Sequence, residues 1–86
     1  MQIKTTKIFE NDYLNLSEEI KERANKQLSF LLKDPHHPSL RLKKIKGKDN
    51  IWEARITQNY RITFQIDGDI CLLRRIGKHD EVLKKP

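Results

Sequence analysis

Midway along the chain the spacing of apolar residues changes from three and four to two, and that switch restricts the fold more than any other feature. Between Ser17 and Lys33 the set Leu16, Ile20, Ala24, Leu28, Leu31 and Leu32 recurs at helical intervals, with Glu18, Glu19, Lys21, Glu22 and Lys26 elsewhere. An amphipathic helix is predicted there. Ser17 suits its N-cap, Glu18 and Glu19 its positive end and Lys33 its negative end, and Pro35 forbids continuation. From residue 51 onward Trp52, Ala54 and Ile56 alternate with Glu53, Arg55 and Thr57. After Gln58-Asn59, Tyr60, Ile62, Phe64 and Ile66 alternate with Arg61, Thr63 and Gln65, which predicts a half-buried hairpin. Asp67-Gly68 is a turn signal, and Asp69 to Ile76 a third strand whose register allows a two- or a three-residue turn. Gly77 is expected to end it, leaving Lys78 to Leu83 as a short tail.

Residues 2 to 9 mix β-branched and charged types without Gly or Pro and are predicted as a first strand, ended by the polar pair Asn11-Asp12. Pro35-His36-His37-Pro38 is expected to be a turn or extended connector. Leu40 to Lys48 follows as an arm pinned by Leu40, Leu42 and Ile45, its bases turned to solvent. A striped helix and a one-faced sheet each need cover for their apolar side, so the expected class is α+β. The expected architecture is an N-terminal strand, a helical segment, then a three-stranded antiparallel meander, forming one sheet with the helix packed on one face. With 86 residues, a single domain over 1–86 is expected.

The hairpin register decides where chemistry can sit. A two-residue Gln58-Asn59 loop would throw Ile56 onto the face of Arg61, mixing core and solvent faces, so an odd loop or a bulge is required. If Thr57 lies opposite Arg61, Arg55 faces Thr63, and both arginines project from one open face of the sheet.

Charge points the same way. The formal net charge is +6. Residues 1 to 34 hold six bases and six acids, whereas residues 35 to 86 hold twelve bases against six acids, so the excess belongs to the second part of the chain. That asymmetry favours a polyanion partner, because neutralising phosphates releases counterions. The longest apolar run, Ile70 to Leu73, is far below the roughly 20 residues that span a bilayer, and no apolar leader opens the chain. A cytoplasmic protein without membrane contact is expected. One cysteine allows no internal disulfide, and His36, His37, His79 and Cys71 match no zinc spacing.

The open face should then carry Arg55 and Arg61, bordered by Arg41, Lys43, Lys44, Lys46 and Lys48 of the arm, with His79 at the end of the last strand. This set suits a phosphodiester. In RNA the 2′-hydroxyl can attack the adjacent phosphorus, so the protein would supply charge stabilisation and proton transfer but no metal, cofactor or nucleophile. Arg61 is the candidate for the first role, since guanidinium is always protonated and its fork matches two phosphate oxygens. His79, with Asp80 beside it, is the candidate acid or base, because imidazole titrates near neutrality. Trp52 and Tyr60 alternate inward as core residues, although Tyr60 stands at a strand end.

Several blocks together resemble a known family. Pro38-Ser39-Leu40, Lys46-Gly47, Trp52 to Thr57, Tyr60 to Ile66 and Ile76-Gly77-Lys78-His79-Asp80 are similar, in order and spacing, to successive blocks of the RelE/ParE toxin superfamily of type II toxin–antitoxin pairs. Resemblance to its RelE branch implies an endonuclease that cuts mRNA on the ribosome without metal, and a small antitoxin that wraps and silences it. It implies a phosphate-stabilising role for Arg61, an active-site role for Arg55, and a catalytic role for His79 after the Gly77-Lys78 pair. Tyr60 and Lys78, with the arm bases, would hold RNA. Glu53 stands where one branch has lysine, and Leu83 near where many members have Tyr or Phe. The ParE branch shares the fold and inhibits DNA gyrase, which leaves a gyrase inhibitor or a catalytically degenerate antitoxin-binding module as alternatives.

Overall fold

A computed structural model describes residues 2–86 and contains a five-stranded mixed sheet with helices on both faces. The elements, in chain order, are β1 (Gln2–Thr5), α1 (Lys7–Leu14), α2 (Glu18–Lys33), β2 (Lys43–Lys44), β3 (Ile51–Arg55), β4 (Tyr60–Asp67), β5 (Ile70–Lys78) and α3 (His79–Lys84), with a single 3₁₀ turn at Pro38–Leu40. The spatial order is β1-β5-β4-β3-β2. β1 runs parallel to β5, and every other pair is antiparallel. The expected α+β architecture is present, with one strand more than expected because Lys43 and Lys44 pair with Glu53 and Trp52 at the far edge.

The first expected strand is shorter than predicted and gives way to a helix. Thr6 takes an extended conformation, and its Oγ1 accepts the Phe9 N–H at 3.0 Å, starting α1. Asn11 and Asp12, read as a break, lie inside that helix. Asp12 has a tertiary task instead. Its Oδ2 accepts from Arg75 Nε at 2.7 Å and from the Ile76 N–H at 3.2 Å, which satisfies β5 beyond the point where β1 stops. α2 begins as expected, with Ser17 Oγ accepting the Ile20 N–H at 3.2 Å.

One sheet face meets α1 and α2 through Phe9, Ala24 and Leu31, packed on Ala54, Ile56, Ile62, Phe64, Cys71, Leu73 and Ile76. These are the inward positions of the alternating strands. A β-bulge opposite Thr63 and Phe64, with Arg74 as the extra residue of β5, leaves Arg74 and Arg75 both facing the polar side of the sheet. Gly68, with φ of 59°, closes β4 to β5 in a two-residue turn, resolving the open register.

The outer face is not bare. Gly77 does not end β5, and the expected tail is helix α3, whose Val82 is fully buried against the sheet. A Cβ on Gly77 would lie 3.2 Å from Val82 Cγ1, so glycine lets the helix settle there. Beyond α3, Thr63 Oγ1 and Arg74 Nε both donate to the Pro86 carbonyl, at 3.0 and 3.1 Å. No helix is long and apolar enough to cross a membrane among the described residues.

Candidate active site

β3 and β4 set Arg55 directly opposite Arg61. This register is two residues away from the expected one, which placed Arg55 opposite Thr63. A slip of two preserves the faces, so both arginines still share the outer side. The connection is the odd loop that the alternation requires: Ile56 N–H donates to Tyr60 O at 3.0 Å, leaving Thr57, Gln58 and Asn59 as the loop. Thr57 Oγ1 accepts from the N–H groups of Asn59 and Tyr60, each at 3.2 Å, and holds that loop in shape.

Arg61 is anchored by this loop. Its Nη1 donates to the carbonyl oxygens of Thr57 (2.7 Å), Gln58 (3.0 Å) and Tyr60 (3.0 Å), while Nε lies 3.8 Å from Glu53 Oε1. Nη2 makes no hydrogen bond among the described residues. Arg55 Nε donates to Thr57 O at 3.4 Å. Burial, then the Arg55 guanidinium, hold the Arg61 pKa below its ordinary value; Glu53 opposes this and Arg41 adds to it. A bound anion would relieve that repulsion.

Arg61, Tyr60, Lys78 and His79 line one open concavity of about 670 Å³, together with Gln58, Asn59 and Asp80. α3 brings His79 there: its backbone N–H donates to Asn59 O at 2.7 Å, tying the start of the helix to the arginine-bearing loop. The His79 ring is half exposed, and Nδ1 lies 3.1 Å from Asp80 Oδ1. Tyr60 serves both sides, packing on the core while reaching this concavity.

The arm bases divide. All five are exposed as expected, above a fully buried Leu40. Arg41, in a left-handed conformation with φ of 45°, lies within electrostatic reach of Arg61. Lys43 shares the outer face with Glu53, its cross-strand partner, whereas Lys44 pairs with inward-facing Trp52 and so takes the other face. Lys46 lies on the loop between β2 and β3, outside the concavity. Lys48 lines a different cavity, with Arg74 and Lys84. Of the two connector histidines, His37 is structural: it stacks on Phe30 at 3.8 Å between ring centroids, and its Nδ1 accepts the Ser39 N–H.

Gln27 is the supporting residue that periodicity overlooked. It is buried on the apolar side of α2, and its Nε2 donates to Arg55 O at 2.8 Å and to Ser39 O at 3.2 Å, clamping the end of β3 to the 3₁₀ turn. A polar residue between Ala24 and Leu31 on the buried stripe was the available signal.

Comparisons with known proteins agree on the lineage. Residues 3–83 match the family model described as the ParE toxin of the type II toxin–antitoxin system parDE. No curated protein matches the chain in sequence. Among solved structures, the RelE of the RelB–RelE antitoxin–toxin complex from Methanococcus jannaschii is 25% identical over 95% of this chain and 96% of that one, with a TM-score of 0.72. A YoeB/ParE toxin from Agrobacterium tumefaciens is 19% identical over 92% of this chain and 99% of that one, with a TM-score of 0.79. YafQ from E. coli has the same fold at a TM-score of 0.80, with 10% identity over 94% and 96% of the two chains. A family match over nearly the whole chain, on a sheet with this topology, means that the protein belongs to the ParE toxin family of type II toxin–antitoxin systems, within the RelE/ParE superfamily.

Proposed function

We propose that this toxin is an endonuclease acting on ribosome-bound mRNA in the cytoplasm, cutting by attack of the 2′-hydroxyl on the adjacent phosphate. The observation that carries the reading is the shared concavity of Arg61, Lys78 and His79, with Arg55 directly across from Arg61. The nucleophile belongs to the substrate, so the protein needs neither metal nor cofactor for the attack. Arg61 stabilises the charge that develops on the phosphate, with Nη2 directed to an oxygen and Nη1 held by the loop. His79 takes the 2′-proton or protonates the leaving 5′-oxygen, an exchange worth roughly 10²- to 10⁴-fold. Tyr60, Lys78, Arg55 and Arg41 hold the strand, with Lys43 further along the same face.

An antitoxin partner follows by analogy with the M. jannaschii relative, which was solved as an antitoxin–toxin complex. A domain with a net charge of +6 suits an acidic segment that orders on contact. Induced expression of the chain tests the nuclease reading. Primer extension on a translated transcript should reveal new 5′ ends, absent with Arg61→Ala and with His79→Ala. Growth arrest with intact transcripts would overturn it.

A second reading is favoured by the family description and by Glu53, which faces Arg61 where a nuclease gains from net positive charge. In that reading the toxin binds and inhibits DNA gyrase. Loss of plasmid supercoiling, with transcripts intact, would select it.

A further inference from the structure

A second cavity, of about 450 Å³, lies on the outer face beyond the far end of α3 and shares no residue with the Arg61 concavity. Lys48, Arg74, Arg75, Lys84 and Lys85 surround it. Asp12 neutralises Arg75 at 2.7 Å. Arg74 is engaged already, donating from Nε to the Pro86 oxygen at 3.1 Å and from Nη1 to Gln65 Oε1 at 3.1 Å. Lys48, Lys84 and Lys85 form no ion pair among the described residues. Three lysines therefore border this space without an ion-pair partner among the described residues.

The same cavity has an apolar part. Ile8 is 59% exposed at its rim, and half-buried Ile51 lines it. A nucleic-acid backbone would satisfy the cations and leave both isoleucines in water. An acidic peptide carrying an aliphatic side chain satisfies both, placing carboxylates on the lysines and the aliphatic group on Ile8 and Ile51. We infer that this cavity is a docking site for an acidic, aliphatic-containing segment of a partner polypeptide. The inference rests on the reading that the chain has an antitoxin and commits to where that partner is anchored. A segment bound here grips the C-terminal end of the helix whose first residue is His79.

A fluorescein-labelled peptide of alternating glutamate and leucine is the probe, with a glutamate–serine peptide and oligouridylate as comparators, read by anisotropy on the full chain. The glutamate–leucine peptide should bind more tightly than the glutamate–serine one. Its affinity should fall about tenfold or more in the double variant Lys84→Glu, Lys85→Glu, and also in Ile8→Ser, which leaves the charge unchanged. Arg61→Ala should bind it as the wild type does. Absence of binding, or equal binding by wild type and both cavity variants, overturns the inference. So does an Ile8→Ser variant without effect alongside oligouridylate binding that falls with the lysine reversal, since the cavity then takes nucleic acid. All the substituted cavity side chains are exposed, and matching thermal melts exclude misfolding as the cause. Failure here leaves mRNA cutting by the same variants intact, so it is distinguishable from failure of the nuclease reading.

Discussion

Glu53→Gln should weaken the fold in dilute buffer, and added phosphate should restore it. Arg55 and Arg61 are direct cross-strand partners, a placement in which like charges repel. Glu53 lies beside them, its Oε1 3.8 Å from Arg61 Nε, with the Glu53 and Arg61 side chains only 14% and 15% exposed. Unit charges near that separation attract by about 4 kcal/mol at an effective dielectric constant of 20. The pair is too long for a hydrogen bond and water reaches both groups, which reduces the net value to about 1–2 kcal/mol. Glutamine keeps the shape and removes the charge. With a urea dependence of roughly 1–3 kcal/mol per molar, the unfolding midpoint should fall by about 0.3–2 M. Phosphate should raise the midpoint of the variant more than that of the wild type, because an anion takes the place of the lost carboxylate. The variant should also bind oligouridylate more tightly. A midpoint unchanged by the substitution, or an equal response of both proteins to phosphate, would refute the claim that these arginines form a charged site held in check by Glu53.

Gln27→Leu removes the donor that Arg55 O and Ser39 O share in a buried place, so it should cost about 1–3 kcal/mol in urea unfolding; a loss under half of that would show the clamp to be dispensable. Gly77→Val drives methyl groups into Val82, already 3.2 Å from a modest Cβ, and should loosen α3 at a cost of about 1–3 kcal/mol and reduce transcript cutting through displacement of His79. Unchanged stability would mean that α3 does not rest on this glycine. Burial pushes the Cys71 thiol up to about 11 from 9.0. The unfolded chain therefore ionises first, so stability present below pH 9 should decline between about pH 9 and 11, less steeply in Cys71→Ala. Identical pH profiles for the two proteins would contradict this.

Local periodicity carries most of this fold. Ser17 caps α2 where its position before two glutamates indicates, and the alternation of β3 and β4 sorts core from outer residues even though the register slips by two. That tolerance follows from the two-residue period of a strand, which moves partners along a face without exchanging faces. The shorter helices were obscured because tertiary contacts define them. In α1, the Thr6 cap with Glu10 in the first turn was the local signal, outweighed by the β-branched residues before it and by Asp12, whose carboxylate serves Arg75 rather than a turn. α3 lacks a side-chain cap altogether and depends on Val82 resting over Gly77, a contact that no neighbour in sequence announces. For the candidate site, the outward positions on β3 and β4 bring Arg55 and Arg61 to one face. The join between His79 and the Thr57–Asn59 loop is a backbone bond from an unforeseen helix, and the arm bases scatter because their segment turns at Arg41 and again at Gly47.

Programmed ribosomes carrying a defined mRNA, incubated with the purified toxin, give the most direct test of the central claim, with the 3′ ends of any fragments analysed by mass. A cut in the mRNA leaving a 2′,3′-cyclic phosphate, absent with Arg61→Ala and reduced at least about a hundredfold with His79→Ala, is the result the account predicts. Intact mRNA, or cutting that persists without Arg61 and His79, would contradict it.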